Sequence, residues 1–383
     1  MYKARRTTLE IYYKGVNISK DITKDLVSFT YTDNESSKLD DIDITLQNRD
    51  GKWSREWFPT LTDRITAKIL YESDGRVSYL DCGTFELDTI EDSNSSSGSI
   101  ISFKATSVPQ NNTVRRTQKN RAWEGARLSE IATDVCDTGQ LRLTYATSID
   151  PLFERTEQNN KSDLSFLQSL CEDIALSIKV TKDQIVIFNR DDTENKDIVG
   201  TLVFGSDEVK SSSFRTQCSD TYSESTIEYT DPKTGKKTKV TEKDETKKSG
   251  KVLKQTKRVE NTADAQRQAK AHLKNKNRKE TTGTIVVVGN VKYVAGSTID
   301  ILGFGKWDGK FYINTATHSV ANGYETSLEI SSIANPKKED KTTVKAKKKA
   351  TTKKKAERKK KAKKITTTSN KVLTEDEKWI MKQ

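Results

Sequence analysis

The residues best suited to chemistry are carboxylates. Asp40, Asp41 and Asp43 stand together, and Glu86 and Asp88 form a second set. Carboxylates at such spacing can serve as general acid and base or as oxygen ligands for a divalent cation. Both sets are embedded in alternation: Asp41 and Asp43 with Ile42 and Ile44, Glu86 and Asp88 around Leu87. Neighbours on a strand point to opposite faces, so a solvated polar face accounts for them without chemistry. Cys82, Cys136, Cys171 and Cys218 are separated by 54, 35 and 47 residues, with no CxxC or CxH spacing that would hold zinc. They read as small buried hydrophobes. The two histidines, His272 and His318, lie 46 residues apart, which excludes HExxH. His272 falls in an expected helix and His318 in an expected strand, and each reads as structural. Gly303, Gly305 and Gly309 mimic a dinucleotide loop, but the spacing is GxGxxxG and no helix follows to hold a phosphate. A hairpin turn is expected there. No nucleophile, base and oxyanion hole can be assembled, so the expectation is a protein that is not an enzyme, with no catalytic, metal-ligating or cofactor-binding residue and no cofactor.

The elements that would position such residues are mostly strands. Leu9, Ile11 and Tyr13 alternate with polar neighbours, as do Val27, Phe29 and Tyr31, then Ile42, Ile44 and Leu46, then Ile65, Ala67, Ile69 and Tyr71. Asn48 to Gly51, Asp74-Gly75 and the Ser-rich 92–99 punctuate the runs. Residues 1–110 therefore read as a β-barrel or sandwich. Residues 111–198 change period. Leu128, Ile131, Ala132 and Val135 make one helical face ending near Gly139, and Leu164, Leu167, Leu170 and Ile174 make another over 162–176, with Ser162 as its cap. A hairpin of Ile178, Val180, Ile185 and Ile187 completes a small α+β domain. Residues 199–335 return to strands, at 226–229, 252–259, 284–288, 298–301, 311–316 and 326–330. One helix over 262–277, capped by Asn261 or Thr262, and a long charged hairpin over 231–250 interrupt them. Low hydrophobic content, 32%, fits several small cores better than one large core.

Charge is unevenly spread. Residues 336–383 hold 19 Lys/Arg and 6 Asp/Glu, whereas the rest holds 48 and 49. The near-neutral remainder gives no charge argument for a basic binding face on the folded part, and 336–370 reads as a disordered Lys-rich tether. Thr374 and Glu377 match a capping box opening a short helix over 371–383, and Trp379, Ile380 and Met381 on it read as a docking patch for a partner protein. The tether lacks interleaved aromatics to stack on bases, so no specific nucleic acid is expected, although a basic-tailed nucleic-acid-binding protein is the rival reading and a cell-wall hydrolase component a weaker one. No run approaches the length of a membrane span and no signal peptide is visible, so no membrane partner and cytoplasmic synthesis are expected.

Several stretches in order resemble the late control D protein family, the baseplate hub proteins of contractile phage tails and of phage-tail-like bacteriocins, akin to VgrG. They are 26–34 leading into Leu39 to Leu46, the Cys82-Gly83-Thr84-Phe85-Glu86-Leu87-Asp88 strand, Trp123 to Ile131 with Gln158 to Leu170, and Thr282 to Ile285 with Ala295 to Ile299, Phe311 to Ile313, His318 and Glu325 to Leu328. The resemblance runs from about 7 to 332. It implies a virion structural protein of mainly β fold, with two tail-tube-like β-barrel domains flanking the small α+β insert. It implies a homotrimer in the baseplate of a virion or tail-like particle, assembled in the bacterial host cytoplasm and adapting a six-fold tail tube to a three-fold spike. The implied partners are the tail tube protein, the central spike protein, baseplate wedge proteins and, through the tail, a tape measure protein or wall hydrolase. Residues 336–383 have no counterpart in that family.

Overall fold

A computed structural model describes residues 5–333 except 37, 74, 97, 108–112, 182, 220, 231–234, 248–249, 257–258 and 260. The expected tether over 336–370, the helix over 371–383 and Trp379, Ile380 and Met381 lie outside the described residues.

Alternation builds the first module. It comprises β1 (Arg6–Tyr13), β2 (Val16–Asn17), α1 (Ser19–Asp25), β3 (Leu26–Asn34), β4 (Asp41–Gln47), β5 (Arg64–Ser73), β6 (Arg76–Ser95) and β7 (Gly98–Thr106). The strands pair in the order β3-β4-β7-β6-β5-β1-β2, all antiparallel. Leu9, Ile11, Phe29, Ile42, Ile44, Leu46, Ile69, Phe85 and Ile101 bury into one core, each worth about 1.5–3 kcal/mol of apolar transfer. Ile22 of α1 joins that core.

The middle module contains α2 (Thr113–Arg116), β8 (Gln118–Arg127), α3 (Leu128–Gly139), β9 (Arg142–Ala146), β10 (Leu152–Ser162), α4 (Asp163–Asp173), β11 (Leu176–Val180), β12 (Gln184–Asn189) and α5 (Arg190–Glu194). Ser162 caps α4, its hydroxyl accepting from the Ser165 N–H at 3.4 Å. Leu128, Ala132, Val135, Leu167, Cys171, Ile185 and Ile187 form a core drawn only from residues 114–187. Beside the expected hairpin β11–β12, the parallel pair β9–β12 and the ribbon β8–β10 are additions that polar alternation concealed.

The last part holds β13 (Ile198–Val203), β14 (Val209–Thr216), β15 (Tyr222–Thr230), β16 (Lys237–Lys243), β17 (Lys251–Thr256), α6 (Thr262–Asn277), β18 (Thr281–Val288), β19 (Thr298–Leu302), β20 (Gly309–Ala321) and β21 (Gly323–Ser332). Six strands in the order β14-β18-β21-β20-β19-β13 surround Leu202, Ile285, Ile299, Ile301, Ile313 and Leu328. The Gly303–Gly309 segment is the turn between antiparallel β19 and β20. The segment read as a charged hairpin is more than that. The strands β16-β15-β17 form a separate sheet packed on α6 through Ile227, Tyr229, Val240, Ala265 and Ala269. Residues 222–277 carry 15 Lys/Arg against 8 Asp/Glu, so the folded part is locally basic after all.

Strand β20 belongs to both β modules. Its start pairs with β19, and its residues 315–320 pair with 29–34 of β3. At the switch an irregularity sets Asn314 aside, and the Asn314 carbonyl accepts from the Glu35 N–H at 3.0 Å. One sheet of 13 strands therefore runs through the two modules. The fold is mainly β, with an α+β insert between a β module of seven strands and one of six.

Candidate docking surfaces and the inter-module junction

The carboxylates of the first set divide. Asp41 and Asp43 lie opposite Ile42 and Ile44, as alternation requires. Asp40 departs from the solvated-face expectation: it is buried, and its Oδ1 accepts from the Asn34 N–H at 2.8 Å. Lys179 of β11 reaches across to Asp33 and Asp40, its ammonium 3.3 Å from Asp40 Oδ2, and donates to the Asn34 carbonyl at 2.9 Å. Asp33 also accepts from the Ala295 N–H at 2.8 Å. Burial raises Asp40 to about 6 despite the opposing Lys179 charge, with Asp33 adding to the rise. The negative neighbours in turn raise Lys179 against the effect of its own burial. Glu86 also departs from expectation, buried 3.3 Å from Arg116, while Asp88 is exposed.

Next to this knot, Glu35 Oε1 accepts from Ser177 Oγ at 2.9 Å and Tyr312 OH at 3.2 Å. His318, fully buried on β20, has Nδ1 2.8 Å from Tyr324 OH and Nε2 3.0 Å from the Tyr293 carbonyl. A carbonyl only accepts, so Nε2 carries the proton and Nδ1 accepts from Tyr324. Burial lowers His318 to about 4 and keeps it neutral. His272 lies on α6, 3.6 Å from Asp173 of α4. Three cysteines are buried as expected, and burial pushes the Cys136 and Cys171 thiols up to about 11 and 12. Cys218 is exposed, contrary to expectation. Among the described residues no cluster of metal-ligating side chains forms. These polar groups tie elements together, joining the middle module to both β modules by hydrogen bonds and ion pairs. The ties of Lys179 to Asp33 and of Arg190 to Ser331 gave no signal in sequence, because these partners lie 100 or more positions apart.

The surfaces suited to partners are apolar. On the first module, Val16, Trp57, Phe58 and Leu61 are exposed beside a groove of about 400 Å³ lined by Tyr13, Trp53 and Pro59. On the other β module, Val203, Phe204, Leu302 and Trp307 are exposed. Trp307 stacks on Phe214 with centroids 5.5 Å apart, and Phe304 packs edge-on to both Phe204 and Phe214 at 5.4 Å. Clustered exposed aromatics mark protein-docking surfaces more often than isolated ones do. Among the described residues, strand β14 ends the sheet path with its outer edge unpaired.

A protein-family model described as YQBQ-like matches residues 117–331, more than half of the chain. A protein of Escherichia phage 186, described as a probable baseplate hub protein, is 25% identical over 167 residues, 42% of this chain and 41% of that protein. The match thus spans about two fifths of the curated relative's length. Among solved structures, a tail protein from Neisseria meningitidis MC58 superposes with a TM-score of 0.66 at 13% identity, covering 85% of this chain and 96% of that one. The 43 kDa tail protein of prophage MuSo2 from Shewanella oneidensis follows at 0.62 and 14%, covering 84% and 97%. The baseplate hub resemblance drawn from the sequence agrees with these relatives, and the chain belongs to the YQBQ-like family.

Proposed function

We propose that the chain is the structural hub of a phage-tail or tail-like baseplate, acting as a homotrimer that adapts a six-fold tail tube to a three-fold central spike. The observation that carries the reading is the pair of β modules, of seven and six strands, fused through β3 and β20 in one chain. Three such chains offer six β modules around one axis, so each tube subunit meets a module of the same class. The two exposed apolar patches, one per β module, suit head-to-tail closure of a ring, in which one surface docks on a different surface of the next copy. The role is mechanical and uses no bound cofactor. In this reading the tube protein, the spike and the wedge proteins are the neighbours, and Trp379, Ile380 and Met381 form a tethered contact to a tape measure protein or wall hydrolase.

The test is the mass of the purified chain in solution, alone and mixed with the tube and spike proteins. A three-chain species is expected, and Phe204→Glu should return it to monomer, since a buried unpaired charge costs several kcal/mol. A chain that stays monomeric in every mixture overturns the reading.

A further inference from the structure

We infer that the seam between the middle module, the end of α6 and the two β modules is an oxyanion site, shaped to take either the carboxylate of an acidic side chain from a neighbouring chain or a free phosphate. A cavity of about 490 Å³ opens there, within the size range of small-ligand pockets. Two guanidiniums form its wall, Arg190 buried and Arg278 partly buried. Arg190 is 9% exposed; its Nε donates to Glu194 at 2.8 Å, a terminal nitrogen donates to Ser331 Oγ at 2.7 Å, and the plane lies 4.0 Å over the Tyr312 ring. Arg278 gives its terminal nitrogens to Asp191 and, at 2.9 Å, to Asn275 Oδ1. Its Nε, buried and 3.4 Å from Glu194, has no hydrogen-bond acceptor among the described residues.

Charge in the seam is under-compensated. Glu194 is shared by Arg190 and Arg278, and Asp191 by Arg278 and Lys274. Arg215 and Lys279 line the cavity as exposed cations with no acidic partner among the described residues. Burial, and then the Arg190 charge, lower the proton affinity of Arg278, as expected for like charges side by side. Glu35 and Glu172 also line the cavity. Glu35 is already hydrogen-bonded by the Ser36, Ser177 and Tyr312 hydroxyls, and Glu172 accepts from Gln168. An entering oxyanion would meet the planar fork of Arg215, which matches two oxygens at once, and the Lys279 ammonium beside it, with the Arg190 and Arg278 charges behind them.

The experiment uses the full chain, titrated with inorganic phosphate and, separately, with a short Asp/Glu peptide, against sodium chloride at matched ionic strength. Binding heat and the thermal unfolding midpoint are followed. Saturable binding of at least one probe is expected, weakened about tenfold by Arg215→Gln or Lys279→Gln. Neither rim residue holds an ion pair among the described residues, so the midpoints of both variants in chloride should equal that of the parent, which checks the fold. Phosphate binding without peptide binding assigns a free anion, peptide binding without phosphate assigns a neighbour's side chain, and mutual competition assigns the shared chemistry. Absence of saturable binding to both probes, or binding that both variants keep at full strength, overturns the site. The outcome does not depend on the hub reading, since a monomer carries the same seam.

Discussion

His318 and Asp40 are both buried near Asp33, and burial drives their titrations to opposite effect. His318 falls to about 4 when folded, so the unfolded chain binds more protons between there and 6.5. Its contribution is complete above pH 6.5 and is lost as pH falls through 4, on the order of 3 kcal/mol in all. Asp40 rises from 3.8 to about 6, so its contribution is present below 3.8 and is lost as pH rises through 6. The two nearly cancel between pH 4 and 6. Asp40→Asn should therefore make the urea midpoint drop more steeply on acidification than in the parent, and His318→Gln should shift the slope the other way; parallel slopes in all three proteins would contradict the assignment. Lys179→Met strands two buried carboxylates and should cost about 3–5 kcal/mol in the same assay. The sequence made the carboxylates visible, but the alternation around Ile42 says nothing of Asp40, whose burial depends on a lysine 139 residues away.

Elements with strong periodicity were legible, and those defined by distant partners were not. The stripe on α3, the Ser162 cap of α4 and the Asn261 cap of α6 follow from local spacing, and Asn261 Oδ1 accepts from the Asp264 N–H at 2.9 Å. The ribbon β8–β10 escaped because its strands are polar on both faces, so period two has no contrast to show. The parallel pair β15–β17, like β9–β12, has no turn signal to mark it. Strand β20 shows the cost of this blindness: its alternation gives a strand, yet not that β3, β19 and β21 all pair with it. Thr317 is paired to Thr32 on one side and Ser327 on the other. Thr317→Pro should remove a ladder hydrogen bond at the centre of the sheet and cost roughly 3 kcal/mol or more, read as a lowered circular-dichroism melting midpoint. Gly289 donates its N–H to the Tyr324 carbonyl at 2.8 Å, and a Cβ there would stand 2.1 Å from the Tyr324 ring. Gly289→Ala should thus displace the ring that holds His318, at about 1–3 kcal/mol.

At the scale of the molecule, two β modules around an α+β insert were readable from patterning, whereas their fusion into one sheet was not. The middle module keeps an apolar core of its own and meets the rest through ion pairs and hydrogen bonds. Polar interfaces of this kind permit independent opening. Hydrogen exchange should therefore release the amides of α3, α4, β11 and β12 together, at a lower opening free energy than those of β3, β4 and β20; one common exchange free energy would refute this. The basic segment 222–277 was hidden because opposite charges elsewhere bring the body near zero. The seam between β3 and β20 has a mechanical consequence. Residues 29–34 lie lengthwise against 315–320, so a pull along the strands loads every bond of that ladder at once instead of peeling them singly. Stretched in that direction, the two halves share the strain as one stiff plate and should give way in a single rupture.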